Sequence, residues 1–255
     1  MSNAPSSLAL FLQRLGLSRD AQDCQILFVT ASGARSDGNF VALVGALQWV
    51  VQIGRFNVAT SVMTLSSFCA APCQGNLDRI HGFLSKYRFK VIRVRTEEPD
   101  HSMFPEKVYV WAYACYAGAK EVLPDDAPPP LGKRVVTTAH VDANLYHDLV
   151  SGRAVTGVLH LANKTPIDWY TKLQSTCEAA TFGSKSVAGE TATDQVIDLR
   201  NTFWCLGVPI EGSLWMFGNN ETVANSVSMP HSCLHKRHNA LACHCCQEAI
   251  AARII

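Results

Sequence analysis

The sequence is short of charge. Only 17% of its 255 residues are Asp, Glu, Lys or Arg, and the formal net charge is +1. No basic field draws nucleic acid from a distance, so any nucleic-acid contact has to be made by a local groove. A long apolar run is missing too. The stretch SLALFLQRLGL near the N-terminus is broken by Arg14 and is too short to cross a bilayer. It has no basic leading segment, which speaks against a secretory signal and for an intracellular protein, cytoplasmic or nuclear, with no membrane partner. The ten cysteines are scattered except for four between Cys233 and Cys246. In a reducing compartment they are expected to be free thiols.

What is present is apolar: 48% of the residues are hydrophobic, enough for one large or two modest cores. Residues 1–37 are rich in Ser, Ala and Gly and carry no clear pattern. From Asn39 the period turns helical, with Phe40, Leu43, Val44, Leu47, Val50 and Val51 recurring along one side. Further helices are expected over Val58–Phe68 and Leu77–Tyr87, then strands at KVIRVRT and KVYVWAYACY. The aromatic residues between 107 and 116 alternate as in a half-buried strand, a pattern that would also suit base stacking. The segment PDDAPPPLGKR excludes helix and central strand. The expected organisation is therefore an N-terminal segment (1–37), a mainly helical region with two strands (38–123), a Pro-rich linker (124–133) and a C-terminal domain (134–255).

In the C-terminal domain the expected order is strand, strand, strand, long helix, strand, helix, helix. The strands are VVTTAHVDAN, AVTGVLHLA, IDWYTKLQ and LWMFG, with NKTP as the hairpin turn after the second, and the long helix runs over about Thr176–Leu206. This is an α/β layer fold. The first strand ends on Asp142, a carboxylate that is costly to bury alone. It is either a metal ligand or a cap whose side chain accepts a nearby backbone N–H. His140, on the same strand, faces the core or a groove and is given no role.

Four stretches carry a family resemblance: FVALVGALQWVVQIGRFNVAT, VDANLYHDLVSGRAVTGVLHLANKTPIDWY, DLRNTFWCLGVPI and PHSCLHKRHNAL. In this order, from Asn39 to the C-terminus, they resemble the end of the reverse transcriptase region and the ribonuclease H domain of copia-type retrotransposon polyproteins. The resemblance implies a ribonuclease H-like mixed sheet with flanking helices, preceded by a connection-like helical region. It implies an RNA–DNA hybrid as partner and Mg²⁺ or Mn²⁺ as cofactor. Two such ions clamp the scissile phosphate, and both want carboxylate oxygens. The polymerase palm with its paired aspartates has no counterpart here, and the family's last strand would follow Ile255.

The family supplies four carboxylates, and this sequence keeps one. The first falls on Asp142, the implied metal ligand. The second falls on Lys185, the third on Asn219, and the fourth at about Ala240, where no carboxylate is nearby. Glu to Lys and Asp to Asn each need one G-to-A transition. Cys69, Cys73, Cys245, Trp204 and Gln247 stand where the family usually carries Arg, which again suits transitions in a decaying element copy.

The long helix gives an independent reading of Lys185. Ala188, Ala192, Val196, Leu199, Phe203 and Leu206 form one apolar stripe, and a step of three back from Ala188 reaches Lys185. Lys185 is thus expected to face the sheet beside Asp142. At ~4 Å a unit charge costs roughly 4 kcal/mol against a like charge at intermediate dielectric, and more against a dication. The expectation is an inactive ribonuclease H-like domain that binds no metal and engages hybrid weakly or not at all. Glu178 lies seven residues back, about 10 Å along the axis, too far to replace a ligand. Two other readings stand beside this one. One is a non-catalytic nucleic-acid or protein interaction domain. The other is a zinc-binding module over residues 233–246, where Cys233, His235, His238, Cys243, His244, Cys245 and Cys246 crowd together without the spacing of a standard finger.

Overall fold

The computed structural model describes residues 36–52, 55–73, 75–76, 94–104, 111, 116–230, 232 and 239–255. Its contacts separate into two units, Met1–Ile92 and Arg93–Ile255. The expected helix over Leu77–Tyr87 and most of the two strands after it lie outside the described residues. Among the described residues no helix is long and apolar enough to cross a membrane.

In the first unit α1 spans Ser36–Gln52, a 3-10 turn spans Phe56–Val58, and α2 spans Ala59–Ser66. The apolar side read from the sequence is the buried one. Phe40, Val44, Leu47 and Val51 fall at helical spacing and are nearly inaccessible, as are Val62 and Leu65 of α2.

The second unit is α/β, with a four-stranded mixed sheet. The strands are β1 (Thr137–Asn144), β2 (Val155–Ala162), β3 (Thr165–Leu173) and β4 (Trp215–Gly218), in spatial order β3-β2-β1-β4. β1, β2 and β3 pair antiparallel, and β4 joins β1 in parallel. The β2–β3 turn holds Asn163 at φ 54°, a left-handed conformation that Asn tolerates. The Asn163 side-chain oxygen accepts from the Val136 N–H at 3.0 Å, which pins the hairpin tip to the start of β1.

The parallel step from β1 to β4 needs a crossover, which α3 (Thr181–Cys205) supplies. Its residues Ala188, Ala192 and Val196 are fully buried, and small side chains let the helix lie close to the sheet. Val196 joins Ala139, Leu214, Ala249 and Ile254 in the core, with Met216 and Ile255 packed against them. β4 is followed by α4 (Glu221–Ser228) and α5 (Ala240–Ala251). The Asn220 side chain caps α4 by accepting from the Val223 N–H at 3.0 Å.

One expectation is corrected. The apolar stripe of the long helix does not run to its end: Leu206 is 70% exposed, and the buried position after Val196 is Arg200. A further step of four brings Arg200 inward, and Glu121 meets it there. The Arg200 Nε donates to Glu121 Oε1 at 2.6 Å and its Nη2 to Oε2 at 2.8 Å. Trp204 Nε1 donates to the same carboxylate at 3.2 Å. The division by contacts falls at Ile92/Arg93, and the Pro-rich segment lies within the second unit. Glu121 is bonded to α3, and Leu131 N donates to Gly207 O at 2.8 Å, so the Pro-rich segment packs on the end of α3.

Candidate functional site

β1 and β4 run in parallel, so their carboxyl ends lie side by side. The register sets Val141 against Gly218, and the next residues along are Asp142 and Asn219. α3 begins beside these ends. Lys185, in its second turn, reaches both: its Nζ donates to Asp142 Oδ1 at 2.7 Å and to Asn219 Oδ1. Three residues far apart in sequence therefore meet at one end of the sheet.

The burial is unequal. The Lys185 side chain is 14% exposed and that of Asp142 is 60% exposed. Asp142 is thus not a buried carboxylate, and the cost argued from the sequence does not fall on it. It falls on the ammonium, whose water is replaced by one carboxylate and one amide oxygen. Asp142 Oδ1 also accepts from the Ala143 N–H at 2.8 Å. Of the two readings of Asp142, metal ligand and local cap, this contact is of the second kind, and the oxygen that makes it also meets Lys185.

A divalent metal does not suit this donor set. Asp142 offers one carboxylate, Asn219 an amide oxygen already in use, and Lys185 a positive charge at the shared point. Among the described residues no group of three or more His, Cys, Asp and Glu side chains is arranged to hold a metal ion.

The fourth expected position opens α5. Ala240 presents no ligand atom, and its neighbour Asn239 is 1% exposed. Asn239 sits by the start of α3: a Cβ added to Gly183 would touch Asn239 Nδ2 and collide with the Glu178 carboxylate. Glu178 is buried at the amino end of α3, where a helix N-terminus favours negative charge. Glu178 precedes α3, which begins at Thr181 and not at Thr176, so the helical spacing expected to set it about 10 Å from Lys185 does not apply.

The cysteine-rich end is packed. Cys233, His235 and His238 lie outside the described residues. Cys243 and Cys246 lie three residues apart on α5, and both are buried. Cys243 Sγ donates to Ser226 O at 3.7 Å, and Cys246 Sγ lies 3.3 Å from Thr193 Oγ1. Burial, with added charge from neighbouring groups, pushes the Cys246 thiol up to about 11 and that of Cys245 to about 12. Protonated thiols are poor metal ligands and poor nucleophiles. Cys73, Cys177 and Cys205 are exposed free thiols. A thiol-reactive dye at pH 8 is expected to label these three quickly and Cys243 and Cys246 only on unfolding. Fast labelling of Cys246 in the folded chain would contradict the packing described.

A cleft of about 940 Å³ adjoins the trio, with Asp142, Lys185 and Asn219 in one wall. Sequence reasoning missed two of its features. Tyr116 OH donates to Gln247 Oε1 at 2.8 Å and lies 2.5 Å from His244 Nδ1. These partners are more than a hundred positions apart, and no local pattern signals them. The other is His101, set in the polar stretch EEPDHS, which packs on β4. The Asn220 cap, by contrast, follows from an Asn placed before a helix.

Compared with models of known families, with curated proteins and with solved structures, the chain matches none.

Proposed function

We propose that residues 134–255 are a ribonuclease H-like domain from a copia-type retrotransposon polyprotein, in which the hydrolytic site has been replaced by an ion pair. The parent reaction is metal-dependent hydrolysis of RNA in an RNA–DNA hybrid. The observation that carries the reading is the position of the trio. An acid at the carboxyl end of β1, a residue of the crossover helix and a residue ending β4 converge where the family's carboxylates would. Here they are an acid, a base and an amide. The strand order, three antiparallel strands with a fourth parallel to the first, supports the same reading.

The chemistry follows from the charges. Hydrolysis in the parent family needs anionic oxygens around two dications. With Lys185 between Asp142 and Asn219, the local charge of the trio is neutral and its centre is cationic. The test is incubation with an end-labelled RNA–DNA hybrid in Mg²⁺ and, separately, in Mn²⁺. The expected result is intact RNA with both ions. Cleavage that is lost on Asp142→Asn would overturn the proposal.

A further inference from the structure

We propose that residues 94–104 form a pH-sensitive strap over one side of the cleft, held shut by the neutral imidazole of His101 and released when that ring is protonated. The inference concerns access to the cleft and does not depend on the reaction proposed above.

The strap is fixed firmly at one end. Arg95 N donates to Thr165 Oγ1 at 2.6 Å, and that hydroxyl donates back to Arg95 O at 3.0 Å. Asn163 Nδ2 donates to Thr96 O at 3.2 Å, and Lys164 meets Glu97 at 3.4 Å. All of these contacts are at the β2–β3 turn. The other end is held by rings. His101 packs on Trp215 at 4.8 Å and on Phe217 at 5.5 Å between centroids, and Phe104 meets Phe217 edge-on at 5.2 Å. Trp215, Phe217 and His140 are on the sheet face turned away from the core, and His140 stacks on Phe217. Glu98, Pro99 and His101 line the same cleft as Asp142, Lys185 and Asn219.

His101 holds the weak end, and its hydrogen bond is slight: Thr138 Oγ1 is 3.4 Å from Nε2. Burial against the rings lowers its affinity for a proton, Asp100 beside it raises that affinity, and a charge on His140 lowers it further. Asp100 is engaged by the Ser102 N–H at 3.0 Å, and Lys164 acts on it from the hairpin tip. The ring's packing partners are aromatic carbon; of the charged groups acting on it, Asp100 favours the proton and His140 opposes it, and burial opposes it most. The sign follows. The closed strap favours neutral His101, so closure is complete above the ordinary histidine range and weakens as pH falls below it.

The test is hydrogen exchange on the whole chain, with rates over residues 98–104 normalised to the intrinsic rate at each pH. From about pH 7.5 to about pH 5.5 the normalised exchange is expected to rise several-fold, while β1 and β2 stay unchanged. His101→Gln should remove the step. If that variant is instead open at every pH, His140→Gln decides: it keeps the strap contacts, removes the second charge and should give a smaller step than wild type. Normalised exchange that is flat or slower at the lower pH, as a cation–π hold on Trp215 would give, overturns the proposal. So does a full step in His140→Gln.

Discussion

Lys185→Glu combined with Asn219→Asp is expected to create a Mn²⁺ site that neither change creates alone. With both changes, three oxygen-bearing acids stand at the carboxyl ends of β1 and β4 and on the second turn of α3. Lys185→Glu alone removes the ammonium but leaves an amide at the end of β4. Asn219→Asp alone adds an acid that the ammonium at once pairs with. Groups that share one ligand couple strongly, by about 1.4 kcal/mol or more, a factor of about ten in affinity beyond the sum of the singles. Calorimetric titration checks this. Equal, additive weak binding in both singles would show that Lys185 does not hold the shared point. Cleavage is the poorer readout, since the position near Ala240 still lacks an acid.

Arg200→Ala is expected to give the largest loss of stability. The guanidinium is almost fully enclosed, with a side-chain exposure of 4%, and Glu121 is at 19%. Removing the cation leaves a largely buried carboxylate unpaired, at a cost of about 3 kcal/mol. For a unit of this size that lowers Tm by about 6–12 °C. The pH dependence has a definite sign. Burial alone would raise the Glu121 carboxyl, but hydrogen bonds from Arg200 and Trp204, with the Arg200 charge, outweigh it and hold it below the ordinary carboxylate range. The increment is therefore complete above about pH 4.3 and is lost as pH falls through the lowered value. Thermal melts of wild type and variant should diverge at neutral pH and converge in acid. A constant difference down to strong acid would mean that the loss comes from packing alone. Arg200→Met with Glu121→Gln should be milder than Arg200→Ala, because no charge is then left without a partner.

The parts of the fold that are legible in the sequence are those set by local period. The buried positions of α1 and the first half of α3 follow from apolar spacing, and the four strands of the second unit follow from runs between turns that are β-branched or, in β4, aromatic. Lys185 could be placed because it continues a stripe of small residues whose contact with the sheet is dictated by the same spacing. The parts that escaped depend on distant partners. Leu206 reads as stripe but is exposed, because the helix ends at Cys205 and Arg200 takes the inward place with Glu121. The Pro-rich segment reads as a linker, since prolines forbid regular structure, but irregular chain can still pack, and this segment lies on the end of α3. Asp142 reads as buried from its strand, whereas its place at the strand end leaves it open to water. His101 has no signature at all, because a single histidine in a polar stretch looks the same whether it is solvated or laid across aromatic rings.

The most direct measurement on the central claim is paramagnetic. Mn²⁺ broadens the amide resonances of nearby residues, so it reports where an ion sits and not only whether one binds. Added to wild type, it should leave the Ala143, Lys185 and Asn219 amides no more affected than the exposed surface, because the ammonium holds the point between Asp142 and Asn219. In the Lys185→Glu, Asn219→Asp chain the same three amides should disappear first. Selective loss of those resonances in wild type would mean that a metal enters beside Asp142 despite Lys185, and the reading of a hydrolytic site closed by an ion pair would be wrong.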